Sequence, residues 1–385
     1  MRSPTMRTAL VRVSAGCGCG ALATHTLHHR ALAAPSERSP IIHRPSERTW
    51  KQPEPPKRSA YEQLTNPPKF TSDGDRFDMA TYAGRALYFL DTLGDLTTLL
   101  TTQSELDASQ KLLARHAAGD AHGASDGELW RARKLTEAMV HPQSGEVIPA
   151  PFRFSAFAPA NLIICAGLLR PGASLASSAF WQWANQTYNV AVNYCNRSSG
   201  GVDSAQLAGA YCCALVSALG ISSGLQLAGA RLSGGGARGA QIVRLTVPML
   251  AVSVGGVVNL VVTRGHELSQ GVAVFDADDG APLGDSVAAA RVALGQCAAT
   301  RVLWTVALLT VSPLVSGAVL AALAVRGAAA RAGVELAAQF AVIWASVPLS
   351  IAVFPQHTSL PASAIEPELV AKRPGATRVA FNKGL

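Results

Sequence analysis

Long runs without a charged residue constrain this chain more than any other feature of its sequence. Four of them cover residues 204–230, 245–263, 302–325 and 336–365. An α-helix rises about 1.5 Å per residue, so roughly 20 apolar residues cross the hydrocarbon core of a bilayer. A fifth run, 154–169, is shorter and crosses only if the bilayer thins or a flanking arginine snorkels. The runs predict an all-α integral membrane protein with about five transmembrane helices in a lipid bilayer.

The rest of the composition excludes several classes of protein. Only 15% of the residues are charged, against about 25% in an average soluble protein. The net charge is +8, but the basic residues are scattered and lack interleaved aromatic residues, so no nucleic-acid partner is predicted. The seven cysteines form no CxxC pair, so no metal or other cofactor is predicted. No motif links a nucleophile to a base, so neither a catalytic residue nor an enzyme is predicted.

The chain divides into four parts. Residues 1–50 contain seven arginines and two glutamates, which is typical of an organellar transit segment, with a disordered basic tail as the alternative. A linker rich in proline and lysine follows, so the leader and linker together cover residues 1–70. Helical patterns then predict a small helical N-terminal soluble region at residues 71–150. The membrane domain is predicted at residues 151–370, and a C-terminal tail at residues 371–385.

The charges of the connecting loops predict an orientation. Lysine and arginine prefer the side from which membrane helices are inserted. Five arginines occupy the links between the second and third and between the fourth and fifth predicted spans: Arg231, Arg238, Arg244, Arg326 and Arg331. With five spans, these links lie on the same side as the N-terminal region. The more acidic loop at residues 264–301 is then expected on the opposite side.

Six side-chain amides follow one face of a predicted helix at residues 180–196. At about 100° per residue they fall within an arc of roughly 100°. We call this set the amide stripe: Gln182, Asn185, Gln186, Asn189, Asn193 and Asn196. Neutral amides donate and accept hydrogen bonds, so the stripe can bind a small zwitterion without leaving a buried charge behind. The alternative is a helix on the membrane surface, with the stripe in water and its aromatic residues at the interface.

Two further polar features flank the predicted spans. His141, Pro142 and Glu146 belong to the sequence HPQSGE, where proline fixes a turn and a titrating histidine suits an entrance or gate. A purely structural turn is the alternative. Asn259 and Arg264 lie at the end of the third predicted span, where polar groups are costly in lipid and therefore indicate function. We predict Asn259 as a mid-membrane contact and Arg264 as a contact for a substrate carboxylate, with snorkelling of Arg264 as the alternative.

Six motifs in a fixed order resemble those of the sideroflexins, a family of mitochondrial inner-membrane proteins. They span roughly residues 75–370 and read FDMATYAGRALYF, HPQSGE, FRFSAFAPANL, WQWANQTYNVAVNYCNR, NLVVTRGHELSQGVAVFDADDGAPLGDS and FPQHTSLPASAIEPEL. Two of the motifs depart from the family pattern. Gln143 and Ser144 replace the Asp and Thr of the family's HPDTGE, and Val261 replaces the proline of its Asn-Ile-Pro.

The resemblance implies a five-span transporter of the mitochondrial inner membrane, with the N-terminal region in the matrix. Its implied substrate is a small neutral amino acid, first of all serine, carried into the matrix for one-carbon metabolism. The amide stripe, Asn259 and Arg264 are then the predicted substrate contacts. A membrane scaffold or assembly factor for respiratory or iron-handling complexes is the alternative, and it implies an oligomer or membrane-protein partners.

Overall fold

The structure is a computed structural model in which most of the described residues are helical. It describes residues 59–384 except for 73, 121–122, 142–144, 169–173, 197–208, 210, 214, 218, 222–223, 225–252 and 262–263. The predicted transit segment, Pro142 and much of the predicted spans at 204–230 and 245–263 therefore lie outside the described residues.

Four helices make up the N-terminal region: α1 Ala60–Thr65, α2 Tyr82–Thr92, α3 Gln103–Ala117 and α4 Asp126–Met139. Capping boxes start α3 and α4, because Thr102 and Ser125 each exchange hydrogen bonds with a glutamate three residues later. Apolar side chains then join the two helices. Phe70 contacts the Trp130 ring edge-on at a centroid distance of 4.9 Å, as aromatic pairs prefer.

Longer and more apolar helices make up the second part of the molecule. In chain order they are α5 Phe157–Leu168, α6 Leu175–Cys195, helical residues between 211 and 221, the helical stretch 253–261, the short α7 Glu267–Gln270, α8 Val287–Ala322 and α9 Ala328–Ile351. The Nδ2 of Asn196 donates to the carbonyl of Phe152 at 2.9 Å, so α6 returns to the end at which α5 begins. Among the described residues, α8 and α9 are the two helices long and apolar enough to cross a membrane.

The two long helices do not coincide with the uncharged runs in the sequence. The Oγ of Ser286 accepts from the backbone N–H of Ala289 at 3.0 Å and caps α8, which begins well before residue 302. In turn α9 ends at Ile351, although the run without charge continues to residue 365. A mostly helical fold with two membrane-length helices is confirmed, and the count of five spans stays a prediction.

A four-stranded sheet lies beyond the ends of the two long helices. Its strands are β1 Val272–Asp276, β2 Pro282–Ser286, β3 His357–Pro361 and β4 Arg378–Asn382. They pair antiparallel in the order β2-β1-β4-β3, and α10 Pro367–Ala371 lies between β3 and β4. The predicted all-α fold is therefore wrong in this part. Residues 371–385, predicted as a C-terminal tail, contain β4, which is an inner strand of the sheet.

The sheet packs against the first turns of α8. Val274, Val379 and Phe381 are fully buried, and so are Ala289 and Ala293 of α8. Burial of apolar surface stabilises this contact by about 25 cal/mol for each Å² removed from water. The first turns of α8 therefore pack against the sheet, and the part of α8 that suits a bilayer begins after them along the chain.

The N-terminal region contacts the end of α9 that leads to the sheet. Ala86 and Phe89 of α2 pack against Val347 and Ile351 of α9. The guanidinium of Arg85 donates from Nε to the carbonyl of Ala352 at 2.8 Å. A helix C-terminus carries unpaired carbonyls and partial negative charge, so a buried cation stabilises it.

This contact bears on the predicted orientation. The sequence places the N-terminal region and the loop 264–301 on opposite sides, but α2 and the sheet both contact the C-terminal end of α9. From the sheet side, the Nζ of Lys383 donates to the carbonyls of Ile351 and Phe354 at 3.2 and 2.9 Å. The two regions therefore lie at the same end of α9, and the side of a membrane on which each lies stays a prediction. We call the end of the molecule formed by α1–α4 and the sheet the polar end.

Candidate functional site

The amide stripe of α6 is turned into the protein. Asn185 and Gln186 are 8% and 6% exposed, and the other four members are half-buried. On another face of the same helix, Phe180 and Trp183 are 53% and 45% exposed. Burial of amides beside exposed aromatic rings is the reverse of the pattern of a soluble helix, and it suits a helix with lipid outside and polar contacts inside.

Hydrogen bonds run along the stripe and end on backbone groups. Asn189 donates from Nδ2 to the Oδ1 of Asn185 at 3.0 Å, one turn away. At the end of α6, the Nδ2 of Asn196 donates to the carbonyls of Phe152 and Val192. Asn196 is therefore committed to holding α6 against the start of α5. The remaining amides present neutral donors and acceptors to the bundle.

A second polar contact joins α6 to the stretch 253–261 and to α8. Asn193 donates from Nδ2 to the Oδ1 of Asn259 at 3.3 Å, and Asn259 is 2% exposed. The guanidinium of Arg301 donates from Nη2 to the Oδ1 of Asn193 at 3.4 Å. Two predicted site residues, Asn193 and Asn259, are thus brought together with an arginine that the sequence analysis assigns to a loop.

Arg301 is the functional candidate that the sequence reasoning missed. It directly precedes the uncharged run 302–325, so a search for charge-free segments excludes it from the helix. In the structure it lies inside α8, one turn beyond the buried Cys297. The signal in the sequence is the helical pattern of small residues before it, including Ala289, Ala290 and Ala293, which continues α8 past the arginine.

Buried polar side chains in the described parts of the bundle are otherwise neutral. They occur on α5, α6, the stretch 253–261, α8 and α9: Asn161, Asn185, Gln186, Ser253, Asn259, Thr300, Thr305, Ser312, Ser316, Gln339, Ser346 and Ser350. A buried hydroxyl or amide costs free energy unless it is hydrogen-bonded. The Oγ of Ser253 and the OH of Tyr188 have no hydrogen-bond partner among the described residues. These two groups can bind a polar ligand without first breaking an internal bond.

Arg264 is placed differently from the other predicted contacts. Its Nε and Nη2 donate to the two carboxylate oxygens of Glu267 at 2.7 and 2.8 Å. Burial opposes the charge of Arg264, but the hydrogen bonds and the charge of Glu267 outweigh it, so the pKa of Arg264 is raised. The guanidinium of Arg264 is therefore already paired with a carboxylate of the protein itself. Its predicted role as a substrate contact stays a prediction that now requires this ion pair to open.

Two of the predicted entrance residues, His141 and Glu146, contact each other just beyond the end of α4. The backbone N–H of His141 donates to the carbonyl of Glu146 at 2.8 Å, and Val140 pairs with Val147. His141 is buried and Glu146 is exposed. This contact therefore lies within the N-terminal region, and a gating role for His141 and Glu146 stays a prediction. The described residues contain no group of three metal-ligating side chains.

Comparison with known proteins identifies the family. The family model described as SFXNs: Sideroflexins matches residues 71–385. A sideroflexin of Dictyostelium discoideum is 34% identical over 305 residues, which are 78% of this chain and 92% of that protein. Sideroflexin-5 of Homo sapiens is 34% identical over 322 residues, 83% of this chain and 94% of the relative.

A fungal relative gives the same result. Sideroflexin FSF1 of Saccharomyces cerevisiae is 32% identical over 319 residues, which are 80% of this chain and 96% of the relative. No solved structure matches the chain. The match over residues 71–385 and the coverage of nearly the whole relatives agree with the motifs in the sequence. The chain belongs to the sideroflexin family.

Proposed function

We propose that the protein is a transporter of a small neutral amino acid, with serine as the first candidate. It would act in the mitochondrial inner membrane and supply one-carbon metabolism. The family and the two membrane-length helices support this proposal. The helical bundle is the transport unit, and the amide stripe provides its polar inner surface.

The buried amide stripe is the observation that carries the proposal. An amino acid at neutral pH carries one positive and one negative group, and it loses its hydration when it enters a bilayer. Amide oxygens and N–H groups replace the lost water for both charges, yet they leave no buried ion when the substrate departs. Neutral polar side chains on α6, α8 and α9 extend this inner surface along the bundle.

Uptake into liposomes tests the proposal. Purified protein reconstituted into liposomes should take up labelled L-serine faster than empty liposomes do. We expect Asn189→Leu to lower the uptake about 5-fold, because a neutral hydrogen bond is worth roughly 1 kcal/mol. Trp183→Leu is the matched control on the outer face of the same helix, and it should keep the wild-type rate. Wild-type uptake equal to that of empty liposomes, across a panel of neutral amino acids, would refute the proposal.

A further inference from the structure

Arg301 is a buried cation that the described chain holds only loosely. Its side chain is 9% exposed in total. Its two hydrogen bonds, from Nη1 to the carbonyl of Gly256 and from Nη2 to the Oδ1 of Asn193, are both 3.4 Å long. Hydrogen bonds from a charged donor normally measure about 2.7–2.9 Å. The Trp304 ring lies 5.9 Å from its Cζ, at the outer limit of a cation–π contact.

Two other buried arginines show what a structural guanidinium looks like in this protein. Arg85 donates to the carbonyls of Ala80 and Ala352 at 2.8 Å. Arg153 donates to the carbonyl of Thr98 at 2.6 Å and to that of Ile148 at 3.0 Å. Each of these side chains is 6% exposed. Both form short bonds that fix helix ends or loops, and Arg301 forms none.

No described carboxylate lies within 4.0 Å of Arg301, whereas Arg264 nearby forms a bidentate pair with Glu267. A buried charge without a counter-charge is costly, and an ionisable group inside a membrane bundle indicates a functional site. The guanidinium fork matches a carboxylate in two parallel hydrogen bonds. Arg301 therefore has the charge, the geometry and the spare hydrogen-bonding capacity for a carboxylate that comes from outside the chain.

We infer that Arg301, with Asn193 and Asn259, forms the site that binds the carboxylate group of the transported substrate. This inference rests on the proposed transport function and names the group that the transporter recognises. The site lies where the uncharged run 302–325 begins, close to the polar end. It marks the point at which the carboxylate leaves water and meets its first counter-charge.

The number of buried cations limits the substrate class. Arg301 is the one charged side chain among the buried polar residues in the described parts of α5, α6, the stretch 253–261, α8 and α9. One guanidinium balances one carboxylate, so a monocarboxylate fits and a di- or tricarboxylate leaves excess negative charge in the bundle. The substrate's ammonium group then requires an amide oxygen of the stripe close to Asn193, and that of Asn189 lies one helical turn away.

Paired substrates test the inference. L-serine and L-serinamide share the hydroxyl and amino groups, and serinamide lacks the carboxylate. Uptake of both compounds is measured in the same liposomes, so their ratio does not depend on how much protein is folded. The variants are Arg301→Gln, Arg301→Lys and, as the matched control, Arg291→Gln on an exposed position of the same helix.

The wild type and Arg291→Gln should prefer serine. We expect Arg301→Gln to lower serine uptake about 10- to 100-fold, the loss that follows from one charge-assisted hydrogen-bonded pair. Serinamide uptake should not fall in this variant, so the ratio of serine uptake to serinamide uptake approaches one. Arg301→Lys keeps the positive charge but loses the planar guanidinium that donates two parallel hydrogen bonds. Its ratio of serine uptake to serinamide uptake should therefore be intermediate. The inference is overturned if Arg301→Gln takes up serine and serinamide in the same ratio as the wild type does.

Thermal unfolding of the purified protein separates this inference from the transport function. Serine should raise the melting temperature of the wild type and of Arg291→Gln but not that of Arg301→Gln, because a ligand that binds only the folded state stabilises it. Serinamide should raise none of them. If the wild type shows this protection without uptake, the carboxylate site stands and transport fails. If serine raises the melting temperature of none of the three proteins and uptake is absent, the carboxylate site and the transport function are both refuted.

Discussion

The polar end and the helical bundle solve the problem of buried charge in opposite ways. At the polar end, Arg85 and Lys383 are buried, and each donates to backbone carbonyls at the C-terminus of α9. In the bundle, twelve of the thirteen buried polar side chains of the described helices are neutral, and the thirteenth, Arg301, has only long hydrogen bonds. A cation that closes a helix end is satisfied before any ligand arrives, whereas Arg301 is not.

The difference separates stability from recognition. A buried cation with complete internal bonding contributes to folding, and its removal leaves unpaired carbonyls. A buried cation with weak internal bonding costs folding free energy, and inside a membrane bundle it indicates a functional site. The two regions should therefore respond differently to substitution.

Labelling from the two sides of the membrane gives the largest expected effect. Because α2 and the sheet contact the same end of α9, we expect the N-terminal region and the sheet on the same side of the membrane, with an even number of crossings between them. Cysteine reporters at Lys111→Cys and Ser363→Cys should react with an impermeant maleimide from one side, and Ala328→Cys only from the other. The three exposed positions are tested in sealed native vesicles, with the native cysteines replaced by alanine. Labelling of the first two from opposite sides would show that the polar end is not one unit.

Replacing arginines by methionine compares the two regions directly. We expect Arg85→Met to lower the free energy of unfolding by about 3 kcal/mol or more, since it leaves the carbonyls of Met79, Ala80 and Ala352 without their donor. Arg301→Met should leave the melting temperature unchanged or raise it, because an uncompensated buried charge is removed. Thermal unfolding of both purified variants without substrate decides this. An equal loss of stability in both would mean that Arg301 is a structural cation like Arg85.

The pH dependence of stability gives the smallest effect. Burial lowers the pKa of Lys383 to about 8, whereas an unfolded lysine titrates near 10.4. Between these values the unfolded state binds more protons, so the free energy of unfolding rises with pH in that window and is flat below it. We expect Lys383→Met to lack this rise. Melting temperatures of wild type and variant at pH 7, 8, 9 and 10 measure it, and parallel curves would show that Lys383 stays charged throughout.

The sequence predicts the helical parts of the molecule because their signals are local. Helical spacing predicts a helical N-terminal region, and the amide stripe lies on one inward face of α6, where the 3.6-residue period puts it. Asn193 and Asn259 are predicted contacts from different helices, and the structure brings them within hydrogen-bonding distance. Their role in substrate binding stays a prediction.

The sequence does not predict the sheet, because its signals are weak and its pairing is distant. Each strand has five residues, and β2 reads PLGDS, which has little β propensity. Val274 of β1 pairs with Phe381 of β4 across more than one hundred residues and two long helices. Arg301 is missed for a related reason: a search for charge-free runs treats each charged residue as the end of a span, so it excludes an arginine that lies inside α8.

The pairing of β1 with β4 has a consequence for how the protein is made. The hairpin of β1 and β2 is synthesised before α8 and α9, and β4 after them, so the inner edge of β1 stays open while both long helices are placed. An open strand edge attracts other chains. When α8 and α9 are placed correctly, β4 can pair with β1 and cover that edge. If they are misplaced, the edge of β1 stays unpaired, and quality-control proteases and chaperones can recognise it.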